Sequence, residues 1–211
     1  MTSRAARPCA LSKAMANVVK TAEQPIGAWV EALGAKAPTP GGGAAAAVVA
    51  AIGAASGAMA AIYTTRKKDE ESGVAAEAKA LAEQLNAAAA RCVVGGDEDA
   101  AAYAALQATW KKDCALSDEE KAAINKEALD VPVRLVGLCH EQAEAVSKFL
   151  PRCNPNITSD AKVALHLLAG AARAAYQTVL VNSPPADLQA ELRQTLDALA
   201  ALEAEVLDQK P

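Results

Sequence analysis

The chain has 211 residues and a mass of 21.5 kDa, is 52% hydrophobic but only 3% aromatic, and carries a formal net charge of −4. Alanine supplies most of the apolar content and is the strongest intrinsic helix former, so the composition predicts one all-α domain, a helical bundle of long alanine-rich helices in close contact. An acidic balance without a basic stripe argues against a nucleic-acid partner; five scattered cysteines with no CxxC pair exclude a disulfide scaffold and fit a reducing, cytoplasmic compartment; two histidines outside any ligand spacing leave no metal site.

In chain order, residues 1–22 carry Arg4, Arg7, Lys13 and Lys20 without an acid and read as an N-terminal extension to a domain spanning 23–211. A transit segment, and with it the mitochondrial matrix, is the other reading. Pro25 to Leu33 predicts a short helix with Ile26, Trp29, Val30 and Leu33 on one face, ended by Gly34. Then comes Pro38-Thr39-Pro40-Gly41-Gly42-Gly43, followed at once by a long alanine, valine and glycine run, Ala44 to Ile62. The prolines stiffen the entry, the glycines let a ligand approach the backbone, and a helix opening there offers unpaired N–H groups and its positive dipole end. A plain connecting loop is the bland alternative. The segment matches neither a P-loop nor a dinucleotide fingerprint. The alanine and glycine content of the run gives weak insertion energy, so it reads as a buried helix, not a membrane span. Its Gly53 and Gly57 form a small-xxx-small pair that admits a very close helix partner.

Arg66 to Gly73 reads as a charged turn, and Val74 to Val94 as an amphipathic helix with Leu81, Leu85 and Ala88 buried. Gly95-Gly96 predicts an interruption before Asp97 to Trp110 resumes. Ser117 with Glu120 forms a capping box, and Pro132 starts or kinks the following helix, which Pro151 stops. Asn154-Pro155-Asn156-Ile157-Thr158-Ser159-Asp160 leads into a helix from about Ser159 to Val181 with Val163, Leu167, Leu168 and Ala171 as core candidates. Leu188 to Leu207 is a final amphipathic helix.

Taken together these segments resemble the cyclodeaminase/cyclohydrolase family of tetrahydrofolate one-carbon enzymes. The resemblance runs from about Ile26 to Asn182. It rests on six landmarks in order: the PTPGGG loop, Arg66-Lys67-Lys68, Asp99 four residues before Tyr103, Val131-Pro132, the segment Asn154 to Asp160, and Asn182. The chain departs from the family at Ile62, where an amide is usual, at Asp69, where a third lysine is usual, at Ala44, which replaces a small polar residue, and at Thr178, which replaces an asparagine.

The resemblance implies either hydrolysis of 5,10-methenyltetrahydrofolate to 10-formyltetrahydrofolate, the preferred reading here, or closure of 5-formiminotetrahydrofolate with loss of ammonia. Both pass through a tetrahedral carbon between two folate nitrogens and need proton transfer, with no metal or further cofactor, since the tetrahydrofolate derivative is the substrate. It implies Lys67, Asp99 and Asp160 as catalytic candidates, with Thr39, Gly41, Gly42, Gly43, Lys68, Tyr103, Asn154, Asn156 and Ser159 binding substrate, and a homodimer as the assembly. Each has a plainer explanation. The lysines suit a helix end, Asp99 a first helical turn, Asp160 a helix N-cap, the asparagines a turn beside Pro155, and Tyr103 a core edge. A catalytically silent binding or assembly subunit is the competing class, motivated by Ile62, Asp69 and Thr178.

Overall fold

The computed structural model describes residues 20–209. The extension and transit-segment readings of the first stretch fall, up to residue 19, outside the described residues. The elements are α1 (Ile26–Gly34), α2 (Gly42–Ile62), α3 (Lys67–Glu71), α4 (Val74–Thr109), α5 (Asp118–Phe149), α6 (Thr158–Val181) and α7 (Ala186–Leu207), with three short 3-10 turns and no strand among the described residues. The all-α expectation holds.

Four helices make a closed bundle. α2 packs along α4 on one side and α6 on the other, α5 closes the ring against the same two, and α7 lies across α5 and α6. α2 contributes buried alanines at nearly every inward position, from Ala44 to Ala61. Each buried methyl is worth about 0.8 kcal/mol, so the core is stabilised by many small contacts at short interaxial distance. The glycine pair is what permits this. A Cβ on Gly53 would lie 3.0 Å from Leu167 Cβ, and one on Gly57 3.0 Å from Val146 Cγ2. The close partner of the pair is therefore α6, with α5, inside the same chain, so the glycines are not evidence of a subunit contact. By length and composition α2 could cross a membrane, with a mean hydropathy of 2.0, but it is the bundle's central helix and 56% of that window is buried within the chain.

Several boundaries differ from expectation. α4 runs unbroken through Gly95-Gly96, because Gly96 faces Ala44 and Ala47 of α2, which a Cβ built on it would meet at 3.7 Å, and tertiary contact offsets the weak intrinsic propensity of the pair. α5 likewise continues through Pro132. A short helix, α3, replaces the expected charged turn because the Asp69 carboxylate accepts from the Arg66 backbone N–H at 2.9 Å and from its guanidinium, capping the helix start. On α1 only Trp29 is buried, while Ile26 and Val30 are exposed, and on α6 Val163 is exposed as well. The Ser117–Glu120 capping box forms as read, with bonds of 2.7 and 3.2 Å.

Candidate active site

Gly41 is the N-cap of α2, so the PTPGGG loop delivers the chain directly to the open end of that helix. Ala45 N–H already bonds the Gly41 carbonyl at 2.9 Å. The Ala44 N–H is accepted by the Asp99 carboxylate, which reaches over from α4. The Gly42 and Gly43 N–H groups have no acceptor among the described residues, which leaves two donors and the positive dipole end facing a cavity.

Asp99 fits only because Gly43 has no side chain. A Cβ there would lie 2.7 Å from Asp99 Oδ2, and closer still to Oδ1 and Cγ. Burial raises the Asp99 pKa above its ordinary value of 3.8, and the Ala44 N–H only partly opposes that shift. The carboxyl thus holds its proton further toward neutral pH than an exposed aspartate does, as a proton donor must. Asp99 lies well inside α4, so it is no first-turn acid.

The cavity over this junction is about 360 Å³. Thr39, Gly41, Gly42 and Gly43 form one wall, Asp99, Tyr103 and Trp110 a second, and Thr178 and Asn182 a third. Tyr103 is no core residue; it is half exposed and meets Trp110 edge-on with ring centroids 6.3 Å apart. Trp110 was not foreseen. Along the last turns of α4 and its C-cap, Asp99, Tyr103, Leu106 and Trp110 recur at helical spacing and present one carboxyl and two aromatic rings to the same cavity.

The landmarks Val131-Pro132 and Asn182 share one structural cause. Pro132 has no N–H to give the Ala128 carbonyl, and Asn182 Nδ2 supplies it instead at 3.0 Å, while also bonding the Thr178 carbonyl at 3.0 Å. Asn182 thereby stands fixed in the cavity wall. Thr178 turns its hydroxyl to the Ala175 carbonyl at 2.7 Å, so a methyl stands where an amide was expected.

The remaining candidates gather at the other end of α2, about 30 Å away by the length of a 21-residue helix. Lys67 is 89% exposed and pairs with Glu71 at 3.8 Å. Lys68 neighbours it in α3. Asn154 is committed to architecture. Its Nδ2 donates to the Tyr63 carbonyl at 3.0 Å, its N–H to Thr64 Oγ1 at 3.0 Å, and its Oδ1 accepts from the Asn156 N–H at 3.1 Å. Asp160 is in the first turn of α6, not at its N-cap, which is Ile157, and Ser159 Oγ donates to its Oδ2 at 3.1 Å. Asp69, which stands for a lysine, is buried and gripped by the Arg66 guanidinium at 2.6 and 2.8 Å, which holds its carboxyl below the usual range. Within one chain, then, Thr39, Gly41, Gly42, Gly43, Asp99 and Tyr103 come together, whereas Lys67, Lys68, Asn154, Asn156, Ser159 and Asp160 do not join them. No group of three or more histidine, cysteine, aspartate or glutamate side chains able to hold a metal ion occurs among the described residues.

A family model for formiminotransferase-cyclodeaminase matches residues 25–207. No curated protein sequence matches. Among solved structures, the crystal structure of formiminotetrahydrofolate cyclodeaminase from Thermotoga maritima superposes with a TM-score of 0.74, covering 87% of this chain and 92% of that one at 24% identity, a likeness of fold.

Proposed function

The chain belongs to the formiminotransferase-cyclodeaminase family, and from that premise we propose that it closes 5-formiminotetrahydrofolate to 5,10-methenyltetrahydrofolate with release of ammonia. The observation that carries this reading is the Asp99 carboxyl, buried beside the Gly42 and Gly43 N–H groups in an aromatic cavity, where burial raises its pKa above the ordinary value. In the reaction N10 attacks the formimino carbon, forming the second C–N bond, and the C–N bond to the former imino nitrogen then breaks. That nitrogen gains two protons to leave as ammonia, one originating on N10 and one from solvent. Asp99, beside the Ala44 N–H at the cavity wall, is positioned to pass them. The helix end and the two open N–H groups stabilise electron-rich atoms of the pterin. Tyr103 and Trp110 give it apolar surface. Folate is the substrate, and no cofactor enters the scheme.

Hydrolysis of the methenyl form traverses the same tetrahedral carbon, so the same purified protein offered each substrate separates the two. Ring closure raises the near-ultraviolet absorbance of the methenyl product, and hydrolysis removes it. The cyclodeaminase reading requires the first and is contradicted by turnover of the methenyl form alone. Absence of turnover and of folate binding would return the chain to a silent subunit.

The assembly proposed is a homodimer through the outer face of α2, where Ile52, Met59 and Ile62 stay exposed at helical spacing. A two-fold axis across the middle of that helix sets two copies antiparallel. It brings the Lys67 and Asp160 end of one chain to the Asp99 cavity of the other, completing a set that one chain leaves divided.

A further inference from the structure

Asp99 and Gly43 line two cavities at once. The first is the aromatic cavity already described; the second, about 280 Å³, opens between α4 and α5 on the other side of the same two residues. In a tetrahydrofolate the reacting carbon sits mid-molecule, with the pterin on one side of N5 and N10 and the p-aminobenzoylglutamate arm on the other. A group acting on that carbon must stand at the boundary of two compartments, which is where Asp99 is.

The second compartment has its own chemistry. Gly95 on α4 and Gly137 on α5 both line it, and no atom lies within 4 Å of a Cβ built on either. Glycine inside a helix is destabilising relative to alanine. Gly53 and Gly57 offset that by close helix contact, but a side chain on Gly95 or Gly137 would meet no packing neighbour, and what their missing side chains leave is open room in this cavity. The walls beside them, Cys92, Leu135 and Leu138, are apolar. At the rim Arg134 is bound to Glu127 at 2.8 Å and faces Glu98 at 3.5 Å, whereas Arg91 has no ion pair among the described residues. Glu141 lines the same cavity. A rim with one uncommitted guanidinium and one carboxylate fits an acylated amino acid, which brings carboxylates for the first and an amide N–H for the second.

Resting on the folate reading, we propose that this second cavity is the subsite for the p-aminobenzoylglutamate arm, its ring held between Gly95 and Gly137 and a glutamate carboxylate on Arg91. The lysines of α3, exposed and far along α2, are then not required for the arm within one chain.

The test uses the full chain and three probes, 5-formyltetrahydrofolate, p-aminobenzoyl-L-glutamate and a tetrahydropterin without the arm, titrated calorimetrically against wild type, Arg91→Ala, Arg91→Gln and Gly137→Leu. Circular dichroism melts check that each variant folds, and Gly137→Ala serves as the milder variant should the leucine disturb α5. Arg91→Ala and Arg91→Gln should weaken the two arm-bearing probes by about tenfold or more, the loss expected for one charge-assisted pair. Gly137→Leu should do the same, and the tetrahydropterin should bind all forms alike. If the formyl folate binds wild type and folded Arg91 and Gly137 variants equally, the subsite is overturned while the folate reading stands. If it binds no form, both are overturned.

Discussion

The Asp99 carboxylate fills the space that any side chain at Gly43 would need. Of the three loop glycines, only Gly43 is held to its identity by contact. A Cβ on Gly42 meets only Thr178 Cγ2, at an ordinary 3.9 Å. Gly43→Ala should therefore displace Asp99, lowering turnover far more than stability, for which an overpacking cost on the order of 1 kcal/mol is expected. Gly42→Ala should change both little. Turnover together with urea denaturation of the two variants checks the pair, and equal behaviour would contradict it.

The buried carboxyl also predicts a pH signature. Because folding raises the Asp99 pKa above 3.8, its protonated form stabilises the fold below the ordinary carboxylate range, and that contribution is lost as pH rises through the folded pKa. Asn at this position can still accept the Ala44 N–H and has no proton to lose. The melting temperatures of wild type and Asp99→Asn should coincide in acid and diverge above the carboxylate range, with the variant the higher. A variant that falls behind wild type as pH rises would contradict the burial argument.

Pro132 and Asn182 should prove coupled. Asn182→Ala leaves the Ala128 carbonyl unpaired, a cost of about 1–3 kcal/mol. Pro132→Ala restores a backbone N–H for that carbonyl, so in its background the Asn182 substitution should cost much less. A double-mutant cycle by chemical denaturation reads the difference, and additive costs would refute the coupling.

The exposed face of α2 predicts the assembly. Wild type should sediment at twice the 21.5 kDa chain mass, and Met59→Glu, which puts charge in the middle of that face, should sediment as a single chain with little turnover. If sites are shared, Asp99→Asn and Asp160→Asn are each slow alone, and refolding them together should restore about a quarter of wild-type turnover, the statistical share of intact sites in mixed two-fold dimers. A wild type that sediments at the single-chain mass would remove the dimer.

Much of the fold was legible because helical periodicity and alanine content act locally. The capping box at Ser117 and the amphipathic period from Leu188 to Leu207 are sequence-local signals, and both appear where read. What failed was decided at a distance. Gly95-Gly96 reads as a break until Ala44 and Ala47 pack against it, and Asp69 reads as a lost lysine until Arg66 closes on it. The site divides in the same way. The PTPGGG loop announced itself, and so did Asp99 and Tyr103 at a spacing of four. Trp110 was legible and overlooked, since the helix expected from Asp97 to Trp110 already carries the spacing 99, 103, 106 and 110 that puts it on the face of Asp99 and Tyr103, whereas nothing in the order of the motifs told which lay at which end of α2.

The measurement that bears most directly on the central claim is the turnover of 5-formiminotetrahydrofolate by wild type and Asp99→Asn, with folate affinity measured on the same preparations. Wild type should form the methenyl product. Asp99→Asn should bind folate with nearly unchanged affinity yet turn over about a hundredfold or more slower, the scale of a lost general acid/base. A variant that keeps the wild-type rate would reduce Asp99 to a cap on α2 and contradict the account.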